Sequence, residues 1–422
     1  MLRICRGQPR PAAELADSLP TSCCQASKGA PHGHRKLRQL RWFSRQRIDR
    51  KKDPDRDYEP GMSSAMRPDV HSGRGAPENR TPDRFNLPVR EADGDWLDDR
   101  DVLDGGRPAL RTSVTVEKPK SIITYNRSLD IGFDRSINAY RGCEHGCIYC
   151  FARPTHAYHD LSPGLDFETR LFAKPDAAKL LRVELGKRGY VVRPIALGTN
   201  TDPYQPIEGR WRITRSILEV LAETKHPVTI TTKSDRVLRD LDLLEEMGRQ
   251  RLASVALSVT SLTPEISRTL EPRAPAARKR LAAVKRLAQA GVPTTVAIAP
   301  VVPGITDHEL EALVQAAAEA GAGGVFYLPV RLPWEVAPLF RAWLDEHYPD
   351  RAAKVMAIIR DMRGGKDNDP NWFTRMQGFG PWADLLRTRF ERAMRKHGFG
   401  NDRQKLRSDL FEPPQGPQLR LL

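Results

Sequence analysis

Cysteine is scarce in this chain, with six in 422 residues. That is too sparse for a disulfide framework at this length, so a reducing, cytoplasmic setting is expected. Long apolar runs are missing too. None approaches the ~20 residues that a membrane helix requires, so no membrane association is expected. A mean hydropathy of −0.53 fits a somewhat polar chain. The amino terminus lacks the apolar stretch of a secretory signal and does not read as a transit peptide. Acidic residues are in deficit, 53 Asp and Glu against 68 Lys and Arg, for a net charge of +15. A surplus of this sign favours anionic partners such as nucleic acid but carries no sequence specificity. Residues 1–61 hold 14 Lys and Arg against 7 Asp and Glu, so about half of the surplus lies there.

Sustained periodicity is also absent from residues 1–110, which are rich in Arg, Asp, Pro and Gly. Such a composition buries too little apolar surface to offset the entropy of ordering. This region is expected to be mostly disordered, and translation is expected to begin at Met62 or Met66, which puts 1–61 upstream of the true start. From about Ser121 short apolar runs alternate with helical periods, the pattern of repeated β–α units with a parallel sheet. Strands are expected around Ile137–Tyr140, Pro194–Leu197, Val228–Thr231, Ser254–Val259, Thr294–Ala299 and Val325–Leu328. Ile213, Ile217, Val220 and Leu221 share one helical face, as do Leu310, Leu313, Val314 and Ala317. Ser234 and Thr263 read as N-caps, Thr306 with Glu309 as a capping box, and Gly291 and Gly321 as helix ends. The domain reading is one α/β unit over 120–345, a helical extension over 346–410 and a flexible tail over 411–422. The extension contains helices at Val336–Tyr348, Ala352–Met362 and Trp382–His397, placed to cap the open side of a six-strand barrel. The last of these carries Arg387, Arg389, Arg392, Arg395 and Lys396, either a phosphate-tracking surface or a solvated basic face.

Three of the six cysteines fall within ten residues, Arg141-Gly142-Cys143-Glu144-His145-Gly146-Cys147-Ile148-Tyr149-Cys150. Soft thiolates at C-x3-C-x2-C spacing can hold three irons of a [4Fe–4S] cubane and leave the fourth open. Gly142 and Gly146 suit a loop bent tightly around a cofactor. With His145, His156 or His159 the same cysteines make the alternative, a closed Cys3His zinc site. In the segment after Cys150, Arg153, His156 and Tyr158 either touch substrate or pack the loop.

The cysteine spacing and Tyr149 resemble the signature of the radical S-adenosylmethionine (radical SAM) enzymes, and the order of the six β–α units resembles their partial (β/α)6 barrel. The resemblance implies a [4Fe–4S] cluster and SAM as cofactors. One electron cleaves the sulfonium, and a 5′-deoxyadenosyl radical abstracts a hydrogen atom. Active sites of α/β barrels gather at the C-terminal strand ends. There Thr199, Asn200, Thr201 and Asp202 are candidate acceptors for the SAM amino group, and Lys233 or Arg273 for its carboxylate. Ser258 and Thr260 are candidates for methionine or ribose oxygens.

Within the superfamily these positions resemble the spore photoproduct lyase branch. Thr201-Asp202 matches its Ser-Asp, Lys233 its strand-three lysine, Ser258 its strand-four serine and Glu271-Pro272 its Glu-Pro. Two departures stand out. Thr199 occupies the place of the lyase's hydrogen-donating cysteine, and Phe151 that of its relay tyrosine. Neither can donate a hydrogen atom as those groups do, so the lyase's own repair reaction is not expected and the catalytic residue toward substrate is left unassigned. The resemblance implies a nucleic acid or nucleotide substrate, in the manner of DNA repair, and an electron donor such as flavodoxin or ferredoxin. The alternatives are radical modification of RNA or protein, and a cluster- or zinc-bearing binding protein without turnover, associated with the sliding clamp. The tail Gln418-Leu419-Arg420-Leu421-Leu422 resembles the peptide by which bacterial proteins dock on that clamp.

Overall fold

The computed structural model describes residues 74–80, 82, 84, 111–400 and 405–414. The remaining expectations for 1–110, the start at Met62 or Met66 and the clamp-like Gln418–Leu422 lie outside these residues.

Ten strands lie among the described residues: β1 Ser113–Val116, β2 Thr124–Tyr125, β3 Arg135–Ile137, β4 Tyr140–Arg141, β5 Arg170–Ala173, β6 Ile195–Leu197, β7 Val228–Thr232, β8 Ala253–Ser258, β9 Thr294–Val301 and β10 Gly324–Pro329. A seven-stranded sheet runs β10-β9-β8-β7-β6-β3-β2, and a three-stranded one β1-β5-β4. In the large sheet β3 and β6 to β10 are parallel and follow chain order, while β2 pairs antiparallel on the edge of β3. This is the open, six-unit α/β arrangement that the alternating pattern predicts. Strands of a parallel sheet covered by helices can be apolar on both faces; the successive residues Ile195, Ala196 and Leu197 of β6 are all buried.

The helix Ile213–Glu223 buries Ile213, Ile217, Val220 and Leu221, and Leu310–Glu319 buries Leu310, Leu313, Val314 and Ala317. Each of the Ile, Leu and Val side chains among them contributes roughly 1.5–3 kcal/mol on leaving water. Ser234 caps its helical turn by accepting from the Arg236 N–H. Gly291 and Gly321 take left-handed φ where the helices before β9 and β10 end.

Local expectations fail in three places. The run Ile137–Tyr140 is not one strand: β3 stops at Ile137, and Tyr140 turns away to pair with β5, its phenol bonded to the buried Glu208. Thr306 and Glu309 form no capping box. The Thr306 hydroxyl accepts from the Val302 N–H, while the Glu309 carboxylate accepts from Ser261 Oγ at 3.1 Å, Leu262 N at 2.6 Å and Thr263 Oγ1 at 2.5 Å. Thr263 therefore gives its hydroxyl to Glu309 instead of capping the helix Pro264–Leu270.

The carboxyl-terminal region is helical over Val336–His347, Pro349–Asp361 and Pro381–Lys396. The last helix covers the barrel flank, with Phe390 4.6 Å from the Tyr327 ring of β10 and Arg389 paired to Glu311. Arg375 grips Asp130 bidentately at 2.6 and 2.5 Å, tying this region to the β2–β3 connection. The first part of the expected flexible tail is docked: Phe411 lies 5.4 Å from the His226 ring, and the Glu412 N–H donates to Thr224 O. Among the described residues no helix is long and apolar enough to cross a membrane.

Candidate active site

The cysteine loop leaves β4 and bends under Gly142 and Gly146, at φ 72° and 69°. These positions exclude a side chain. A Cβ on Gly142 would lie 2.7 Å from Phe167 O, and one on Gly146 would lie 2.7 Å from Glu168 Oε2. The loop's own polar groups are taken up by neighbours. Cys143 N donates to Phe167 O, and Ile148 N to Leu270 O. Glu144 N donates to Gln205 Oε1, while Thr201 Oγ1 and Gln205 Nε2 both donate to Gly142 O at 2.7 and 3.2 Å. Beneath the loop, Ile148 and Tyr149 join the apolar cluster of Leu270, Phe340 and Trp343, so the carboxyl-terminal helices support the cysteines from below.

Cys143 and Cys147 are buried, Cys150 is partly exposed, and none forms a disulfide. Burial pushes the Cys143 thiol well up, helped by Asp202 and Cys147, and pushes Cys147 up to about 12. Bound iron offsets such a penalty by taking the thiolate as ligand. A soft, sulfur-only donor set on one shielded loop fits an iron–sulfur cluster. His156 engages the backbone instead, its Nε2 2.9 Å from Arg170 O.

The strand-end residues separate into those already committed and those with atoms to offer. Asp202 accepts from Thr232 Oγ1 at 2.6 Å, Tyr204 N at 2.9 Å and Lys233 N at 2.7 Å, and His145 Nδ1 stands 3.3 Å from its second oxygen. Burial works to raise its pKa. His145 and these donors outweigh that and hold it at about 2. Three of the roughly four acceptor sites of the Asp202 carboxylate are thus taken by donors of the protein, and through them it ties the end of β6 to the end of β7. Thr201 is committed to Gly142 O. Thr260 is committed as well, donating to Glu271 Oε1 at 2.6 Å. Arg273 reaches Glu144 at 3.4 Å, and its backbone N–H holds His145 O.

Thr199 and Asn200 are half-buried and lean on Asn138; Asn200 N donates to Asn138 Oδ1 at 3.0 Å. Ser258 is buried, its carbonyl accepts from Arg280, and its hydroxyl has no hydrogen-bond partner among the described residues. Lys233 is half-buried with its ammonium 5.7 Å from the centre of the Tyr149 ring. Among the described residues it makes no side-chain hydrogen bond and no ion pair. Burial alone would lower its pKa; Cys147 and Glu271 outweigh this and raise it, so the group is a cation.

Behind Tyr149 lies a buried network that its sequence position does not reveal. Glu271 binds the Tyr149 phenol and the Arg280 guanidinium, and Arg280 donates further to Pro275 O and Ser258 O at 2.6 and 3.0 Å. Arg280, Lys233, Thr260 and Tyr149 outweigh burial and hold Glu271 at about 2. Gln205, Glu144 and Arg280 were missed as site residues. Gln205 alone left a signal, since it sits inside the strand-end run Asp202-Pro203-Tyr204-Gln205. Arg153 is fully buried and packs the loop, as does His156, whereas Tyr158 is exposed.

A three-cysteine loop that follows β3 and β4 of an open six-unit α/β arrangement, with a cation just past the end of β7 that forms no ion pair among the described residues, is the arrangement expected of a cluster-bearing enzyme of the SAM-dependent kind. Residues 137–317 match the radical SAM superfamily. An uncharacterized protein of Mycobacterium tuberculosis is 39% identical over 230 residues, covering 54% of this chain and 68% of that one. Another, from Methanocaldococcus jannaschii, is 26% identical over 241 residues, covering 57% and 86%. Among solved structures, spore photoproduct lyase complexed with dinucleoside spore photoproduct is similar at a TM-score of 0.48 and 17% identity, covering 67% of this chain and 79% of that one. The chain belongs to the radical SAM superfamily, whose cofactors are a [4Fe–4S] cluster and SAM.

Proposed function

We propose that this enzyme reductively cleaves SAM and acts on a nucleic acid or nucleotide. When bound, the cluster supplies the electron for that cleavage. Cys143, Cys147 and Cys150 hold three irons. Lys233 takes the SAM carboxylate, Thr199 and Asn200 lie next to the amino group, and Ser258 offers its hydroxyl to a methionine or ribose oxygen. The observation that carries this assignment is the Lys233 ammonium, half-buried beside the cysteine loop, close enough to Glu271 to feel its charge but in no direct ion pair or side-chain hydrogen bond among the described residues. Arg273, by contrast, is engaged with Glu144.

The substrate class rests on charge and on the exposed aromatics near the loop. Phe151, Tyr158 and Trp334 are 53%, 67% and 66% exposed, and the Arg84 guanidinium lies 5.9 and 4.8 Å from the Tyr158 and Trp334 rings. Exposed rings with interleaved arginine are surfaces on which bases stack. The test is SAM consumption by the reduced, cluster-loaded protein with single-stranded DNA, RNA or neither added. Stimulation by DNA at low salt, lost at high salt, is expected. Stimulation by RNA alone moves the reading to RNA modification. No SAM consumption with any addition supports a binding protein. Docking on the sliding clamp through Gln418–Leu422 is a further part of the proposal, refuted if that peptide fails to bind the clamp at high micromolar concentration.

A further inference from the structure

Residues 74–79 cross directly behind the cysteine loop, far from it in sequence. Gly75 comes so close that a Cβ there would sit 1.7 Å from Gly146 O. The N–H groups of Gly75 and Ala76 each donate to the Glu168 carboxylate at 2.9 Å, one to each oxygen. That carboxylate also pairs with Arg153 at 2.5 Å, both side chains being wholly buried. Arg153 in turn donates to Cys147 O at 2.9 Å and Gly146 O at 3.1 Å, and to the carbonyls of Pro163 and Gly164 at 3.0 Å each. One carboxylate thus joins two N–H groups of the crossing segment to the guanidinium that holds two carbonyls of the cysteine loop.

A second chain of contacts runs parallel to the first. Arg74 donates to Thr112 Oγ1 at 3.3 Å and to Glu168 O at 3.0 Å, and Thr112 donates to Glu144 Oε1 at 2.6 Å. Glu144 is the neighbour of Cys143. Further along, Asn79 and Asp166 exchange two hydrogen bonds at 3.1 and 2.9 Å. Ala76 is buried in the same apolar cluster as Cys147, Ile148 and Tyr149. This short stretch is packed, within a region expected to be mostly disordered.

We propose that residues 74–76, acting through Glu168 and Arg153, are positioning residues of the cluster site. They fix the carbonyls of Gly146 and Cys147, and with them the relative placement of the three cysteines. The proposal rests on the reading that those cysteines hold the cluster. The physical reason is that a buried carboxylate needs its acceptor sites filled. Without the two N–H groups Glu168 has to draw other donors, and Arg153 is the nearest, so the carbonyls Arg153 holds are released. The coupling is reciprocal: a segment that favours the cluster-receiving shape is itself held more firmly once the cluster is bound.

The test uses the full chain, reconstituted anaerobically with iron and sulfide, as wild type, Gly75→Ala, Glu168→Gln and Glu168→Asp. Ile217→Val, a change in the distant helix Ile213–Glu223, serves as a control that lowers stability without touching the loop. Iron per chain, the rate of iron loss to a ferrous chelator, and hydrogen exchange over 74–80 with and without cluster are measured. The expected result is iron loss at least tenfold faster in Gly75→Ala and Glu168→Gln, within twofold of wild type in the control, and partly restored in Glu168→Asp. Exchange over 74–80 in the wild type is expected to be at least tenfold slower with cluster than without. Glu168→Asp keeps the charge, drawn back by one methylene, and guards against misreading a Gly75→Ala protein that does not fold. Iron loss within twofold of wild type in all three loop variants, or identical exchange with and without cluster, overturns the proposal while leaving the cluster reading intact. A wild type that takes up no cluster sinks both.

Discussion

Replacing Arg280 with methionine isolates the energetics of the network behind Tyr149. Arg280 and Glu271 are both about 2% exposed, and the guanidinium is the only cation paired with that carboxylate among the described residues. The change leaves Glu271 ionised in the interior with the Thr260 and Tyr149 hydroxyls as its remaining donors. Its carboxyl is held at about 2 against an ordinary 4.5, with Arg280 the largest favourable influence. A depression of that size is worth roughly 3 kcal/mol to the folded state. Removing one partner of a buried pair costs about 3–5 kcal/mol by an independent route, so a loss of about 3 kcal/mol is predicted. Urea unfolding of the cluster-free protein at pH 7 reads it. Adding Glu271→Gln to Arg280→Met removes the stranded charge and is predicted to recover at least half of the loss. The sign with pH follows from a depressed carboxyl: the contribution is complete above pH 4.5 and is lost as pH falls toward 2, so the single variant shows a flatter acid limb there. A single variant within about 1 kcal/mol of wild type, or a double variant equal to the sum of the two singles, refutes the reasoning.

Three further outcomes are expected. His226 is wholly buried, contacts Tyr190 Oη at 2.9 Å, and is lowered to about 4 by burial. Its contribution is complete above pH 6.5 and is lost as pH falls toward 4, about 2 kcal/mol by pH 5; the urea midpoint between pH 7 and 5 should therefore fall less in His226→Gln than in wild type. Lys233→Met should weaken SAM binding at least tenfold with iron content unchanged, whereas Arg273→Met should stay within threefold; calorimetry on the cluster-loaded protein checks the order, and the reverse order contradicts the site assignment. Arg375→Gln breaks the bidentate hold on Asp130; a loss of about 1–3 kcal/mol is expected, together with faster proteolysis near Trp372 and Phe373, and an unchanged cleavage pattern argues against that tie.

The barrel was legible because its strands are covered on both faces and so read as apolar runs, and because Ile217 or Val314 recur at helical spacing beside them. Tyr140 misled since Ala139 and Tyr140 resume apolar character just past Asn138, while its phenol answers to Glu208, 68 residues on. The small β1-β5-β4 sheet gave no such signal: Ser113–Val116 is mostly exposed, and its partner Arg170–Ala173 begins on an exposed arginine. In the site, sequence supplied the residue types but not which lone pairs were already in use. Asp202, Thr201 and Thr260 have the chemistry to meet SAM, yet each is bonded to another part of the protein. Lys233 and Arg273 carry the same charge in the sequence, and only the fold puts Glu144 beside the arginine. Arg153 and Glu168, and the stretch from Arg74 to Asn79, act across separations that no local pattern encodes.

The central claim is that the Cys143, Cys147 and Cys150 loop carries a cluster that cleaves SAM. The direct measurement is 5′-deoxyadenosine formation from SAM by anaerobically reconstituted, dithionite-reduced protein, set beside a variant with all three cysteines replaced by alanine. The account predicts about four irons per chain and 5′-deoxyadenosine well above the variant, rising further with the right substrate. A protein that loads zinc in place of iron, or that carries a full cluster and binds SAM yet forms no 5′-deoxyadenosine with DNA, RNA or protein added, would contradict it.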